Sequence, residues 1–355
     1  MKGRINHTVV AIVTVSLLPL SAAFFAILGQ CDLRRGLTAA QQKLCLEYPD
    51  HMAHILYGGQ LALDECQRQF SGYRWNCSFP RLKIQRFLHP LMSLATKETA
   101  FVHSLIAAGT MHTVSRACME DKLSKYCHCS KEKRPDTLPP SHSWGGCGDN
   151  LPYGYQFSKK FVDAKELAPD DAFEDIRDFS DVLMNLHNNE AGRLALGSKS
   201  KMQCRCHGVS KNCATKFCYR QLADFKEVGE HLHELHQTSI QVTLAEAQNH
   251  KEENKEMRLV KIEDDDRKYT RADLVYTEAS PSYCKRDLTI GSFGTKGRRC
   301  ERNGKTLNDC NFLCCGRGYY SRTEEITENC ECKFVYCCEV KCKSCTSVKT
   351  MHTCK

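Results

Sequence analysis

The 355-residue sequence shows no internal repeat and no low-complexity segment. After residue 23, no stretch approaches the roughly 18 apolar residues that a membrane-spanning helix needs. The lack of repeats argues against a structural matrix protein, which normally shows them. The lack of a long apolar run predicts a mature chain without a transmembrane helix.

Cysteine, by contrast, is abundant, with 24 residues. An even number of this size indicates a disulfide framework and an oxidising compartment outside the cytosol. The N-terminus agrees, because Lys2 and Arg4 precede an apolar run that ends in the small residues Ser21-Ala22-Ala23. We therefore predict a signal peptide over residues 1–23, and a protein secreted to the extracellular space or matrix.

A zinc site is the alternative reading of Cys127-His128-Cys129 and Cys204-Arg205-Cys206-His207. Structural zinc ligands are usually spaced C-x2-4-C and H-x3-5-H. Here the spacings are C-x-C and adjacent pairs such as Cys314-Cys315, which fit that geometry poorly. No metal and no cofactor are therefore predicted.

The net charge of +8 is spread along the chain rather than gathered in one block. On an extracellular protein, basic clusters suggest sulfated glycans such as heparan sulfate proteoglycans rather than nucleic acid. An ordinary solvated surface is an equally good reading of any single cluster. The clusters are Lys131/Lys133/Arg134, Lys199/Lys201/Arg205, Lys296/Arg298/Arg299 and Lys341/Lys343.

The fold class predicted is α+β, with two domains. Residues 24–245 form a helical domain with cysteine-closed loops, with helices near 38–48, 95–117, 170–196 and 222–235. Three histidines in the last of these, His231, His233 and His236, are interpreted as a solvated helix surface rather than a metal site. Ile240, Val242 and Leu244 alternate as a strand, and 246–272 reads as a linker or exposed excursion. Leu259-Val260 and Leu274-Val275-Tyr276 are strand-like. Residues 273–355 are predicted to form a cysteine-rich β domain, because disulfides must stand in for a core where aliphatic residues are few.

Residues 204–218 place four cysteines around a short loop that carries Ser210. If Cys206 pairs with Cys213, the loop is nearly fixed, at a gain of about 2.5 kcal/mol against the unfolded chain. Cys204 and Cys218 are not spaced for a simple hairpin register, so we expect a bulge or a bent return strand. The segment predicts a rigid loop that presents Ser210 to solvent.

An extracellular hydrolase is the rival interpretation of this loop. Gly208-Val209-Ser210-Lys211-Asn212 matches half of G-x-S-x-G, but the second glycine is absent. A nucleophile elbow also needs a strand-to-helix turn, which a disulfide-closed loop does not supply. We therefore predict no enzyme activity and no catalytic residue.

A second rigid projection is predicted over residues 330–345, here called the finger. Its tip, Phe334-Val335-Tyr336-Cys337-Cys338-Glu339-Val340, has aromatic and aliphatic side chains with no space for a core beneath them. Exposed aromatic residues on a rigid tip are typical anchors for a partner. Packing between the finger strands is the alternative. Elsewhere, Asn76-Cys77-Ser78 is an N-glycosylation sequon, so Asn76 is a predicted glycan acceptor.

Several of these segments resemble the Wnt family. The loop reads Cys-Arg-Cys-His-Gly-Val-Ser, the signature in which the serine carries a mono-unsaturated fatty acyl ester. The likeness covers essentially the whole mature chain. It continues in Arg74-Trp75-Asn76-Cys77, Trp144-Gly145-Gly146-Cys147, Phe161-Val162-Asp163-Ala164, the segment from Met184 to Gly192, and the cysteine array through Cys354.

The resemblance also implies a disulfide pattern that the sequence alone could not choose. In the N-terminal domain the implied pairs are Cys66–Cys77, Cys118–Cys127, Cys129–Cys147, Cys204–Cys218 and Cys206–Cys213. In the C-terminal domain they are Cys284–Cys315, Cys300–Cys310, Cys314–Cys354, Cys330–Cys345, Cys332–Cys342 and the adjacent Cys337–Cys338. Cys31 and Cys45 flank the first helix and are paired only by that position.

The function implied is that of a secreted ligand for Frizzled receptors, acting in development on cell fate, polarity and migration. An acylated Ser210 would enter a groove of the Frizzled cysteine-rich domain, and the finger would grip that domain on the opposite side. The receptor-contacting residues implied are Ser210, Lys211, Phe334, Tyr336, Cys337, Cys338 and Val340. The further partners implied are the acyltransferase Porcupine, the carrier Wntless and an LDL-receptor-related or other co-receptor.

Two departures from the family pattern bear on these implications. The family usually follows the acylated serine with Gly-Ser, where this chain has Lys211-Asn212. It usually has His-Trp where this chain has Val335-Tyr336. An unmodified ligand that uses the finger alone is the alternative that the first departure leaves open.

Overall fold

The computed structural model describes residues 31, 37–78, 94–167, 176–208, 213, 215–246, 257–262, 267, 269–304, 306–336 and 338–355, without the side chains of 176–178. The chain divides into two compact units. The first contains Met1–Cys66 and Pro80–Ser280, and the second contains Gln67–Phe79 and Pro281–Lys355. The predicted boundary at residue 273 is therefore displaced, and a segment from the N-terminal half belongs to the C-terminal unit.

Six helices of eight residues or more lie in the described part of the chain. They are α1 (Ala39–Glu47), α2 (Met52–Gln69), α3 (Lys97–Met119), α4 (Leu151–Val162), α5 (Ile176–Lys199) and α6 (Phe225–Gln237). Local signals explain several of the ends: Thr38 and Thr96 each close a capping box at the start of α1 and α3. The four predicted helices are confirmed within a few residues where they are described; residues 170–175 of the third lie outside the described residues. None of the described helices is long and apolar enough to cross a bilayer.

Helix α3 is the centre of the first unit. The sequence predicts one buried side, and its residues are buried except Ile106, which is half-buried. The predicted residues are Phe101, Val102, Leu105, Ile106 and Val114. The burial goes further, because 18 of the 23 residues of the helix are shielded from solvent. The other helices therefore pack around α3 on several sides rather than one.

Small residues allow this close packing. Gly192 of α5 lies so near α3 that a Cβ there would clash with the backbone oxygen of Ser104. At another crossing, a Cβ on Gly58 of α2 would lie 2.6 Å from the carbonyl oxygen of Gly109. Both positions exclude any larger side chain unless a helix moves.

The predicted strands at Leu259-Val260 and Leu274-Val275-Tyr276 are confirmed, although the first lies inside the segment 246–272 predicted to be a linker. Met257–Lys261 forms strand β5, which pairs antiparallel with β4 (Ile240–Glu246). On its other side β4 pairs in parallel with β6 (Val275–Tyr276). Ile240, Val242 and Val275 pack with Met184 of α5, so the strand is held by burial against a helix.

The C-terminal half of α5 also holds a buried polar network that the sequence analysis did not find. Arg193 donates from Nη1 and Nη2 to the two carboxylate oxygens of Asp163 at 2.9 and 3.0 Å, and Nε donates to Glu190 at 3.0 Å. Asn189 donates to Asp163 at 3.1 Å. Burial raises the pKa of Asp163, while Arg193 and Asn189 act against that rise. We conclude that this bidentate pair is a structural element of the core.

Two further amides of α5 hold its neighbours in place. Asn188 donates to the carbonyl of Val275 at 2.9 Å and accepts from the Val275 N–H at 3.0 Å. Asn185 donates to Glu166 at 2.9 Å. The polar residues of the segment from Met184 to Gly192 thus serve the fold of this unit.

Among the described residues of the first unit, His51, His103 and His236 are buried and His112 is half-buried, which sequence reasoning also missed. His51 is stacked on Phe157 with ring centroids 4.1 Å apart. Burial lowers the pKa of His51 and of His112 to about 4 each. Burial, with Lys97 nearby, lowers the pKa of His236 to about 3. The interpretation of the α6 histidines as a solvated surface is therefore wrong for His236, because α6 packs that face against Phe101.

These histidines should make the protein less stable as the pH falls. Their folded-state pKa values lie below the unfolded value of about 6.5, so the unfolded chain binds more protons below that pH. The stabilisation is complete above about pH 6.5 and is lost progressively toward pH 4, by about 2 kcal/mol for each histidine at pH 5. Urea unfolding of wild type and His112→Gln at about pH 7.5 and pH 5 checks this, and the variant should lose about 2 kcal/mol less. The exposed-site variant His128→Gln is the control, and an unchanged loss in His112→Gln would contradict the prediction.

The second unit is built mainly of strands and disulfides. Strands β10 (Tyr319–Val335) and β11 (Glu339–Cys354) form a long antiparallel ribbon, and β9 (Arg299–Cys300) pairs with the end of β11. The core at the foot of this ribbon consists of Leu313 and four half-cystines, with Tyr319 packed against it. Disulfides therefore do replace an aliphatic core here. The four half-cystines are Cys300, Cys310, Cys314 and Cys354.

The segment Gln67–Phe79 joins this unit through contacts that are distant in sequence. The rings of Trp75 and Tyr283 lie 6.3 Å apart. Arg298 donates to the carbonyls of Arg74 at 2.8 Å and Ser71 at 3.1 Å. Neither contact follows a local periodicity, which is why the sequence did not assign the segment to the C-terminal domain.

Candidate functional site

The cysteine loop is the end of a regular hairpin made of β2 (Lys201–His207) and β3 (Thr215–Gln221). The register runs without a shift from Lys201 opposite Gln221 to His207 opposite Thr215. Cys204 and Cys218 lie directly opposite each other and are joined by a disulfide. The prediction of a bulge or a bent return strand is therefore wrong, because the two strands pair without interruption up to the loop that connects them.

A second disulfide, Cys206–Cys213, closes the loop itself, and Cys213 is exposed. Ser210 and Lys211, the predicted acylation site and its neighbour, lie outside the described residues. What the structure describes is the frame on either side of them: two seven-residue strands tied together by two disulfides. This frame restricts where residues 208–214 can go.

The root of the hairpin is anchored through β3. Strand β1 (His142–Trp144) pairs in parallel with β3, and the Trp144 indole donates to the carbonyl of Glu132 at 2.8 Å. The Glu132 carboxylate accepts from Arg220 of β3 at 2.9 Å. A Cβ on Gly146 would lie 2.6 Å from the Tyr219 ring, so the Trp-Gly-Gly segment fits closely beside the strand. The motif of residues 144–147 thus supports the hairpin.

A buried carboxylate fixes the end of β3. Asp149 accepts from the N–H of Leu222 at 2.8 Å and pairs with Arg116 of α3 at 2.9 Å. Burial raises the pKa of Asp149, although the Leu222 N–H and Arg116 favour its charged form. The hairpin therefore projects from the central helix through a charged, hydrogen-bonded base.

The finger is the distal part of the β10–β11 ribbon. The disulfides Cys330–Cys345 and Cys332–Cys342 cross it, and the register shifts between Cys330 and Lys333. Within the finger every described residue except Cys330 is exposed, so cross-strand bonds and disulfides hold it without a core.

The tip of the finger is apolar and open to solvent. Phe334 is 71% exposed, Tyr336 96% and Val340 61%. Phe334 lies opposite Val340 in the register, so the two side chains are neighbours on one face. Packing between the finger strands would bury these residues, and they are not buried.

One implied disulfide differs from the structure. Cys338 carries a free, exposed thiol, so the predicted Cys337–Cys338 pair is not formed, and Cys337 itself lies outside the described residues. The physical reason is local: adjacent cysteines can close a ring only if the peptide between them is distorted. Cys338 instead turns the chain at the tip, with φ of 90°.

The other implied pairs, and the Cys31–Cys45 pair predicted from position alone, are present in the structure wherever their bonds are described. They are Cys31–Cys45, Cys118–Cys127, Cys129–Cys147, Cys284–Cys315, Cys300–Cys310 and Cys314–Cys354. Cys66 and Cys77 are each disulfide-bonded. Asn76, the predicted glycan acceptor, is partly exposed beside Cys77.

Members of all four predicted basic clusters are bonded to other groups of the protein. Arg134 donates to three carbonyl oxygens of its own loop, at 2.6 to 3.1 Å. Lys201 pairs with Glu227, and Lys343 pairs with Glu331 at 2.6 Å. Together with Arg298, these side chains show that basic residues close in sequence do not form one free cationic surface.

A disulfide frame that carries two projecting ribbons is typical of an extracellular binding protein. Comparison with known proteins agrees. A model of the wnt family matches residues 33–355. The chain is 43% identical over 328 residues to Protein Wnt-5a of Xenopus laevis, covering 92% of this chain and 82% of that protein. It is 42% identical over 328 residues to Protein Wnt-5b of Xenopus laevis, covering 92% of this chain and 87% of that protein.

Among solved structures, the chain resembles one described as human WLS in complex with WNT8A. The TM-score is 0.58 at 32% sequence identity, covering 86% of this chain and 94% of that chain. The chain belongs to the Wnt family. Its fold is the two-domain α+β fold of that family, whose members are secreted signalling ligands rather than enzymes.

Proposed function

We propose that this Wnt protein signals by binding the cysteine-rich domain of a Frizzled receptor, through the finger and through an acylated loop at the end of the hairpin. The observation that carries the proposal is the tip of the finger. Phe334 and Tyr336 are 71% and 96% exposed on a ribbon that two disulfides hold. Large apolar side chains held in solvent lose little entropy on binding and gain the full burial energy.

The proposed modification is a mono-unsaturated fatty acyl ester on Ser210, placed there by Porcupine. It is supported by the sequence of the loop and by the doubly stapled strands that flank it. Lys211 and Asn212 replace the usual Gly-Ser, but a long lysine stem keeps its ammonium in water, and asparagine accepts a left-handed turn. An exposed acyl chain needs a carrier, and the likeness to a chain solved in complex with human WLS supports Wntless in that role.

The remaining partners follow from the extracellular setting. We propose an LDL-receptor-related or other co-receptor, retention in the extracellular matrix, and weak association with heparan sulfate through residues such as Lys131, Lys133 and Lys296, which are exposed. The output is developmental signalling that controls cell fate, polarity and migration. Nucleic acid is not a partner in this proposal.

The finger can be tested separately from the lipid. The double variant Phe334→Ala/Tyr336→Ala should weaken binding to a Frizzled cysteine-rich domain by about 30-fold, or ~2 kcal/mol, because it removes both apolar anchors. Surface-immobilised receptor domain and purified full-length protein give the affinity. Tyr320→Ala/Val348→Ala is the matched control, since these residues are 65% and 67% exposed on the same ribbon but away from its tip. Equal loss of affinity in both variants would count against the tip as the contact.

The glycan proposal has its own test. Asn76→Gln should migrate faster on a denaturing gel than wild type, by the mass of one N-linked glycan, because the sequon at residues 76–78 is lost. Ser78→Ala should give the same shift, since it breaks the sequon without changing the asparagine. Identical migration of wild type and both variants would show that Asn76 is not glycosylated.

A further inference from the structure

The first unit contains a pocket that none of the proposed interactions uses. It lies between the start of α4, the C-terminal part of α5 and α6, and its volume is about 560 Å³. Small-molecule sites in proteins typically occupy about 300–1,000 Å³, so the pocket is large enough for a ligand. Apolar atoms dominate the wall, to which Leu151, Tyr155, Leu194, Gly197 and Leu235 contribute.

The polar side chains of the wall are already satisfied. Each is paired with another group of the protein: Glu132 with Arg220 at 2.9 Å, Tyr155 with Glu190 at 2.6 Å, Arg193 with Asp163 at 2.9 Å, Ser198 with the Ala195 carbonyl at 2.9 Å, and His231 with Glu234 at 3.5 Å. A ligand rich in hydrogen-bonding groups would have to break these pairs or leave its own groups unpaired. A ligand without hydrogen-bonding groups can enter without breaking these pairs and without leaving a polar group unpaired.

The charges around the pocket lead to the same ligand class. Glu132 and Arg193, the charged residues of the wall, face opposite charges within the protein, so the pocket is close to neutral. A neutral, apolar concavity complements a neutral, apolar occupant. We propose that this pocket binds the hydrocarbon chain of a lipid, such as a long-chain fatty acid. The proposal does not depend on acylation of Ser210.

Gly197 offers a direct way to block the pocket. It lies within α5, and a Cβ built on it meets no atom within 4 Å, so a larger side chain would enter open space. Replacing glycine inside a helix also favours the helix, so Gly197→Leu should fold. Gly59 provides the matched control, because it too lies within a helix with open space at its Cβ but is not part of this wall.

The test titrates purified full-length protein with cis-parinaric acid, whose fluorescence rises in an apolar site. Saturable binding of one probe per chain is expected for wild type and for Gly59→Leu. Gly197→Leu should bind about tenfold more weakly or worse, a change of ~1.4 kcal/mol. Absence of saturable binding, or equal affinity of Gly197→Leu and Gly59→Leu, would overturn the proposal.

A second arm identifies the source of the chain. Wild type is compared before and after an esterase has removed any acyl ester. Equal probe affinity shows that the pocket takes free lipid, and higher affinity after treatment shows that the protein's own acyl chain had occupied it. Both results support a hydrocarbon site, and they leave the Frizzled measurements above independent of this one.

Discussion

Ser210→Ala should lower the affinity for a Frizzled cysteine-rich domain by about 100-fold or more, or ~2.8 kcal/mol. A sixteen-carbon chain could contribute up to roughly 10 kcal/mol at about 0.8 kcal/mol per buried methylene, before entropic and reorganisation costs. The flanking strands are tied by Cys204–Cys218 and Cys206–Cys213, so the two ends of the loop are held together before binding and part of the entropic cost of binding is already met. Removing the acyl chain should therefore lower receptor affinity more than the finger variant Phe334→Ala/Tyr336→Ala does.

The measurement combines lipid labelling with affinity. Cells are fed an alkyne fatty acid, and the protein is purified from lysate so that recovery does not depend on export. Wild type and Ser347→Ala, an exposed serine of the finger ribbon, should be labelled equally, and Ser210→Ala should not. Labelling of Ser210→Ala at the wild-type level would place the lipid on another residue. No labelling of wild type would establish the alternative of a ligand that uses the finger alone.

Asp163→Ala should destabilise the first unit by about 3–5 kcal/mol. Arg193 is 1% exposed, and the variant leaves its guanidinium buried with Glu190 as the remaining carboxylate partner. Removing one partner of a buried ion pair strongly destabilises the fold, because the other charge stays desolvated without the attraction that offset its desolvation penalty. Urea unfolding of the secreted protein gives the free energy, and a reduced yield of secreted protein should accompany it.

Glu227→Ala is the matched control for this effect. The Lys201–Glu227 pair is solvent-exposed, at 63% and 44%, so its loss should change stability by about 1 kcal/mol or less. A cost for Asp163→Ala as small as that of Glu227→Ala would show that the Asp163–Arg193 pair does not stabilise the core.

Several family motifs, in this light, hold the fold rather than contact a partner. Asp163 belongs to the segment Phe161-Val162-Asp163-Ala164, and its carboxylate is the acceptor for Arg193. The side-chain amide of Asn188 holds β6, because it donates to the carbonyl of Val275 and accepts from the Val275 N–H. Trp144 supports the root of the hairpin. Recognising these motifs identifies the family, but their chemistry is visible only when the contacts are known.

The sequence by itself determined the features that depend on local patterns and on composition. The number of cysteines indicates a disulfide framework, apolar periodicity predicts α3 and α5, and Thr38 and Thr96 mark helix starts because a hydroxyl caps the free N–H groups of its own turn. The exposed tip of the finger was predictable as well, since a segment so poor in aliphatic residues cannot bury Phe334 and Tyr336.

Only the tertiary structure decided which distant residues meet. It recruited Gln67–Phe79 to the C-terminal unit, paired β5 with β4, and placed Cys204 opposite Cys218 in regular register. It also buried His51, His103 and His236 and paired Asp163 with Arg193, which are 30 residues apart. The reason is physical. The local sequence around a polar side chain is the same whether that side chain faces water or is buried against a partner, and only the packing of separate segments decides between the two.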